Sequence, residues 1–141
     1  MKTILFVNGC IRGEESRTLL LARRFLDCLR GKYEITEVSG LCLPLDREAL
    51  EKRERLAVQG NWDDPVFDEA KRFMQADAVV LAAPFWEGTF PAAVFLASVF
   101  RMLGIQKTDT VTAEGLDIIG NDVRLIMNQA LREAELLAGT F

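Results

Sequence analysis

The sequence predicts an α/β domain: a parallel sheet covered by helices on both faces. Three observations carry this reading. Apolar runs of strand length alternate along the chain with helical repeats. The run Ala78–Ala83, AVVLAA, is wholly apolar, as suits a central parallel strand buried on both faces. The length of 141 residues, 50% of them hydrophobic, suits one globular domain over residues 1–141, with no internal repeat or linker.

Taken in order, Ile4-Leu5-Phe6-Val7 is a charge-free first strand. A small polar loop follows, Asn8-Gly9-Cys10-Ile11-Arg12-Gly13. Ala22, Phe25, Leu26 and Leu29 then recur at helical spacing, giving a helix over about Arg17–Arg30 that Gly31 ends. Tyr33–Val38 alternates as a strand near an edge, and Leu41–Leu45 is an extended segment containing Pro44. Asp46 can cap a thinly apolar helix, Arg47–Ala57. Gly60–Asp64 is a loop carrying Trp62. Asp64 and Pro65 open the next helix, with Val66, Phe67, Ala70, Phe73 and Met74 as its inward stripe. Pro84 stops the buried strand, and the loop Phe85-Trp86-Glu87-Gly88-Thr89 leads into an apolar helix from Pro91 to about Leu103. Asp109–Ala113 reads as a short last strand. A final helix opens near Gly120 or Asn121, with Val123, Ile126, Met127, Ala130, Ala134 and Leu137 inward.

Composition removes several function classes. The net charge of −4 comes from mixed acids and bases, so there is no nucleic-acid footprint and no polybasic membrane patch. No run reaches the length of a membrane span, and no signal peptide is visible. Three cysteines without C-x-x-C spacing point to reduced thiols in a cytoplasmic protein. Histidine is absent, which excludes a Ser–His or Cys–His nucleophile and a His-based metal site.

The element order favours a doubly wound, flavodoxin-like arrangement, in which ligands sit beyond the strand ends at the switch point between first and third strands. Two loops meet there. The first offers backbone amides at a helix N-terminus, the hydroxyls of Ser16 and Thr18, and the guanidinium of Arg17, a set that suits a phosphate. Its bland alternative is an ordinary turn with Ser16 as helix cap. The second loop offers Phe85 and Trp86, flat and apolar, beside Glu87; their bland alternative is a buried aromatic pair. A phosphate at one end and a flat ring at the other describe a mononucleotide, and FMN fits.

Four stretches resemble a known family. ILFVNGCIRGEESRT at the N-terminus, LPLD at Leu43–Asp46, ADAVVLAAPFWEGTFPA at Ala76–Ala92 and LGI…VTAEGL over Leu103–Leu116 are similar to segments of the flavodoxin-like, FMN-dependent NAD(P)H:quinone oxidoreductases and azoreductases. The resemblance implies bound FMN, NADH or NADPH as electron donor, a quinone or azo acceptor, ping-pong hydride transfer and a homodimer. Carried over by position, it implies that Cys10, Ser16 and Thr18 hold the phosphate; Arg12 and Arg17 are further candidates for binding the cofactor there. Pro84, Phe85, Trp86 and Glu87 would line the ring. No side chain need be a catalytic acid or base, because the flavin carries the chemistry.

The sequence departs from that pattern in four places. Cys10 stands for a Ser, Glu87 stands for an amide, Phe95 and Val99 stand where a Lys and an Asp are common, and one late strand–helix unit expected before LGI is missing. Either the chain lacks that unit or a segment is skipped between Ser98 and Leu103. A skip is the favoured expectation, since losing a central strand would leave a gap between the third and last strands. Two other functions compete. A low-molecular-weight phosphatase-like Cys enzyme needs five residues between its Cys and Arg, whereas Cys10 and Arg17 are separated by six. A non-catalytic flavodoxin-like flavin binder is the other.

Overall fold

The computed structural model describes residues 1–39, 46–84, 98–105 and 107–141. The expected extended segment Leu41–Leu45, the loop Phe85–Thr89 and the start of the helix at Pro91 lie outside the described residues. The backbone falls into two compact units. One comprises Met1–Asn8 with Gly31–Leu81, the other Gly9–Arg30 with Ala82–Phe141.

The first unit carries a three-stranded sheet. Strand β1 (Lys2–Asn8) lies in the middle, between β2 (Tyr33–Ser39) and β3 (Ala78–Ala82). β1 and β2 run parallel in a register from Lys2↔Tyr33 to Asn8↔Ser39. β1 and β3 are bonded at matching ends: Asp77 N–H donates to Thr3 O, and Gly9 N–H to Ala82 O. Early residues meet early and late meet late, so this pair is parallel too.

β1 is the strand covered on both faces, for consecutive Ile4, Leu5 and Phe6 are all buried. β2 alternates in exposure and buries Val38. The expectation that the apolar β3 would be central needs correction. Among the described residues it is an edge strand, mostly half-buried, and Asp109–Ala113, the stretch expected to continue the sheet, forms no strand.

Between β2 and β3 come α2 (Arg47–Val58), a 3-10 turn (Pro65–Phe67) and α3 (Asp68–Gln75). Asp46 caps α2 by accepting from Ala49 N–H, and Asp64 caps the turn by accepting from Val66 N–H. Phe67 is the buried anchor here, with Trp62 at 5.0 Å between ring centroids and the Arg53 guanidinium 5.9 Å from its ring. The break from 3-10 to α geometry at Asp68 rotates the expected inward stripe. Met74 is 82% exposed and Ala70 is exposed, while Val66 and Phe73 are half-buried.

The second unit is built on α1 (Arg17–Leu29) and α4 (Val123–Thr140). α1 buries Leu19, Leu21, Phe25, Leu26 and Leu29; α4 buries Met127, Ala130, Ala134 and Ala138. The small alanine face of α4 lets the two helices approach closely. Leu21, Met127 and Ala130 form a cluster over which Val111, Ala113 and Leu116 pack. Phe25 meets Phe141 edge-on at 5.2 Å, and Arg24 pairs with Glu135 at 2.6 Å. Asp122, rather than Gly120 or Asn121, is the cap of α4, accepting from Arg124 and Leu125 N–H.

The seam at Ser98–Leu103 is unbroken. A helical stretch covers 98–102, and the amides of Leu103, Gly104 and Ile105 donate back to Val99, Arg101 and Phe100. Among the described residues no helix is long and apolar enough to cross a membrane.

Candidate functional site

Within the second unit the loop after β1 meets the end of β3. Gly9 N–H donates to Ala82 O at 2.9 Å, and the Cys10 thiol reaches the same oxygen at 3.9 Å. A Cβ on Gly9 would lie 2.9 Å from that carbonyl, so only glycine permits the approach. Pro84 follows two residues later and is half-buried. Phe85, Trp86 and Glu87, expected to line a ring, lie outside the described residues.

The loop tightens before the helix. Gly13 N–H donates to Cys10 O, Gly13–Glu15 forms a 3-10 turn with Gly13 at φ 55°, and Ser16 N–H donates to Gly13 O. Ser16 is buried and caps α1: its Oγ accepts from Leu19 N–H at 3.3 Å while its own O–H stays able to donate. Leu20 N–H goes to Ser16 O. The amides of Arg17 and Thr18, the first two of α1, have no partner among the described residues. They are the orphan donors of a helix N-terminus, at the positive end of its dipole.

The predicted phosphate residues are therefore placed unequally. Cys10 is buried and turned to Ala82 O; Ser16 and half-buried Thr18 sit in the first turn of α1; Arg12 is exposed on the loop. Arg17 is exposed and ion-paired with Asp117 at 3.7 Å. Glu14 adds an acid to the loop, but Arg23 holds it at 2.8 Å. Two features escaped the sequence. Gly9 was visible only as one small residue after a strand, though a glycine directly after an apolar run is a signal for close backbone approach. Asp117 carried no local signal, since its pairing with Arg17 spans the chain.

An open groove lies elsewhere in the second unit. It is about 700 Å³ and is lined on α1 and α4 by Leu20, Arg23, Arg24, Leu131 and Glu135 among others. No residue of the loop lines it. Arg24 and Glu135 pair across it.

Residues 2–95 match the family Flavodoxin_2, described as having a flavodoxin-like fold. An FMN-dependent NADH:quinone oxidoreductase of Caldicellulosiruptor saccharolyticus is 20% identical in an alignment of 201 positions covering all of both chains. FMN-dependent NADH:quinone oxidoreductase 2 of Clostridium acetobutylicum is 24% identical over 202 positions, again covering all of both. These alignments are longer than the 141 residues of this chain, so part of each relative has no counterpart here. An azoreductase from Bacillus anthracis str. Sterne superimposes with a TM-score of 0.74 at 20% identity over all of both chains, which shows the shared fold. With the sheet order, the loop geometry and this match over most of its length, the chain belongs to the Flavodoxin_2 family of flavodoxin-like fold.

Proposed function

We propose that this chain is an FMN-dependent NAD(P)H:quinone oxidoreductase that reduces quinone or azo acceptors by two electrons. The observation that carries the reading is the open N-terminus of α1 after the Gly9–Ala82 approach, in a chain whose relatives are named for FMN, NADH and quinone. The residues present fit the phosphate end of FMN. The Arg17 and Thr18 amides and the Ser16 and Thr18 hydroxyls would donate to its oxygens, and the Arg12 and Arg17 guanidiniums would balance its charge. Cys10 contributes shape more than hydrogen bonding, because a thiol is a weak donor. For the ring, the reading rests on the resemblance at Pro84, Phe85, Trp86 and Glu87. Bound flavin would supply the hydride chemistry, and the chain would supply binding and orientation.

A homodimer belongs to the same proposal. Its support in the structure is exposed apolar bulk on the second unit, including Leu20, Ile118, Ile119, Leu125 and Leu136. A cytoplasmic location is proposed on the cysteine usage, three residues without C-x-x-C spacing. The functional test is twofold. Purified protein should show a flavin absorbance band, or acquire one with added FMN, and should then oxidise NADH or NADPH when a benzoquinone is present. Flavin binding without turnover would leave the non-catalytic flavin binder as the better reading. Absence of any flavin binding would overturn both.

A further inference from the structure

Asp117 is held beside the first residue of α1, with its Oδ1 3.7 Å from Nη1 of Arg17. The turn that carries it is well fixed. Gly115 and Gly120 take φ of 72° and 96°, Asn121 Nδ2 donates to Gly115 O at 2.9 Å, and Ile118 N–H donates to the same oxygen at 3.3 Å. A Cβ on Gly115 would come within 2.8 Å of Asn121 Nδ2, so the turn is specific to glycine there. Arg17 is also the residue whose amide, with that of Thr18, is left open. The cation on the first residue of α1 thus already faces a carboxylate of its own chain.

We propose that Asp117 is a positioning residue that sets the anion affinity of the α1 N-terminus by competing for Arg17. An incoming phosphate must share the guanidinium with Asp117 or displace it, and it meets the repulsion of that carboxylate on the way. Both effects weaken anion binding. The two side chains are 48% and 101% exposed, so water and salt screen the pair and the effect is modest. This inference rests on the reading of the loop as a phosphate site.

The experiment is a titration of FMN, with riboflavin as the phosphate-free control, on five proteins at low salt. These are the wild type, Asp117→Asn, Asp117→Glu, Arg17→Met and the Arg17→Met/Asp117→Asn double variant. Asp117→Asn is expected to tighten FMN binding roughly two- to fivefold, the range open to an exposed ion pair. Asp117→Glu, which keeps the charge, should restore the wild-type value, and riboflavin should not respond. The gain should be smaller in the Arg17→Met background, where only the repulsion by the carboxylate is left to remove, and should shrink at about 0.15 M salt and above. Equal FMN affinity of wild type and Asp117→Asn would overturn the role of Asp117 and leave the phosphate site standing. An equal gain for riboflavin would overturn it as well, since the change would then reflect the shape of the turn. FMN binding to none of the five would overturn the phosphate reading and this inference together. Thermal melts identify a variant that fails to fold, and Asp117→Ser then replaces Asp117→Asn.

Discussion

The β1–β3 pair ends in two different ways. At its start, Asp77 N–H donates to Thr3 O at 3.1 Å, while the Asp77 carboxylate accepts from Thr3 N–H at 2.7 Å and from Thr3 Oγ1 at 3.2 Å. Main chain and side chain close that corner on each other. At its finish, Gly9 N–H donates to Ala82 O, the Cys10 thiol lies 3.9 Å from the same oxygen, and the chain then turns into α1. What remains there are the open amides of Arg17 and Thr18. A parallel strand pair can thus be sealed with a carboxylate at one end and keep donors free at the other. The free end is the one where α/β folds bind ligands.

The largest expected effect comes from removing donors at the open end. Replacing Ser16 and Thr18 together by Ala deletes two hydroxyls from the first turn of α1. Hydrogen bonds to charged groups are worth about 1.5–3 kcal/mol each, so FMN affinity should fall by more than tenfold. Part of the Ser16 effect is structural, because its cap on Leu19 N–H is also lost, at about 1 kcal/mol. Thr18→Ala alone is the cleaner variant, for its hydroxyl caps nothing among the described residues. Unchanged FMN affinity in both variants would show that the open end is not the phosphate site.

Gly9→Val attacks the same end through the backbone. The new Cβ would stand 2.9 Å from a main-chain carbonyl that cannot swing aside, so β1 and β3 must part there. Forcing extra atoms into packed structure costs about 1–3 kcal/mol, which denaturant unfolding would read as a lower midpoint. FMN affinity should fall with it. A variant as stable as wild type would mean that the Gly9–Ala82 approach relaxes freely.

These two sites were not equally legible in the sequence. Ser16 and Thr18 follow a strand and a loop and precede a helical repeat, so local pattern alone placed them at a helix N-terminus. The same local logic delivered α1, β2 and the Asp46 and Asp64 caps. It failed where the outcome depends on distant partners. AVVLAA reads as a central strand, but centrality belongs to whichever strand has two neighbours, and Asp109–Ala113 does not become one. Met74 fits an α-helical stripe begun at Pro65, yet the 3-10 start shifts the phase and turns it outward. Thr3 and Asp77 are 74 residues apart, and nothing in the sequence around either marks the clamp.

The closed end gives the smallest effect, and pH is its probe. The Thr3 N–H holds the Asp77 carboxyl below its ordinary value of 3.8, with the Thr3 hydroxyl and the nearby Lys2 acting in the same direction. A carboxyl depressed by folding stabilises the folded state above the unfolded pKa. That contribution is lost as pH falls from about 3.8 through the folded value, because the unfolded chain then binds the proton more readily. Asp64 shifts the same way, through Val66 N–H and Lys52, so it adds to the same acid window. Asp77→Asn keeps an oxygen for the Thr3 N–H but cannot titrate. Its denaturant midpoint should therefore fall less between pH 5 and pH 3 than that of the wild type, with Asp64 accounting for part of what remains. At pH 7 the variant should be slightly weaker than wild type, since a neutral amide accepts the Thr3 N–H less strongly than a carboxylate. Equal acid losses in the two proteins would mean that the clamp owes nothing to the charge of Asp77. The two ends of the strand pair would then differ in geometry alone.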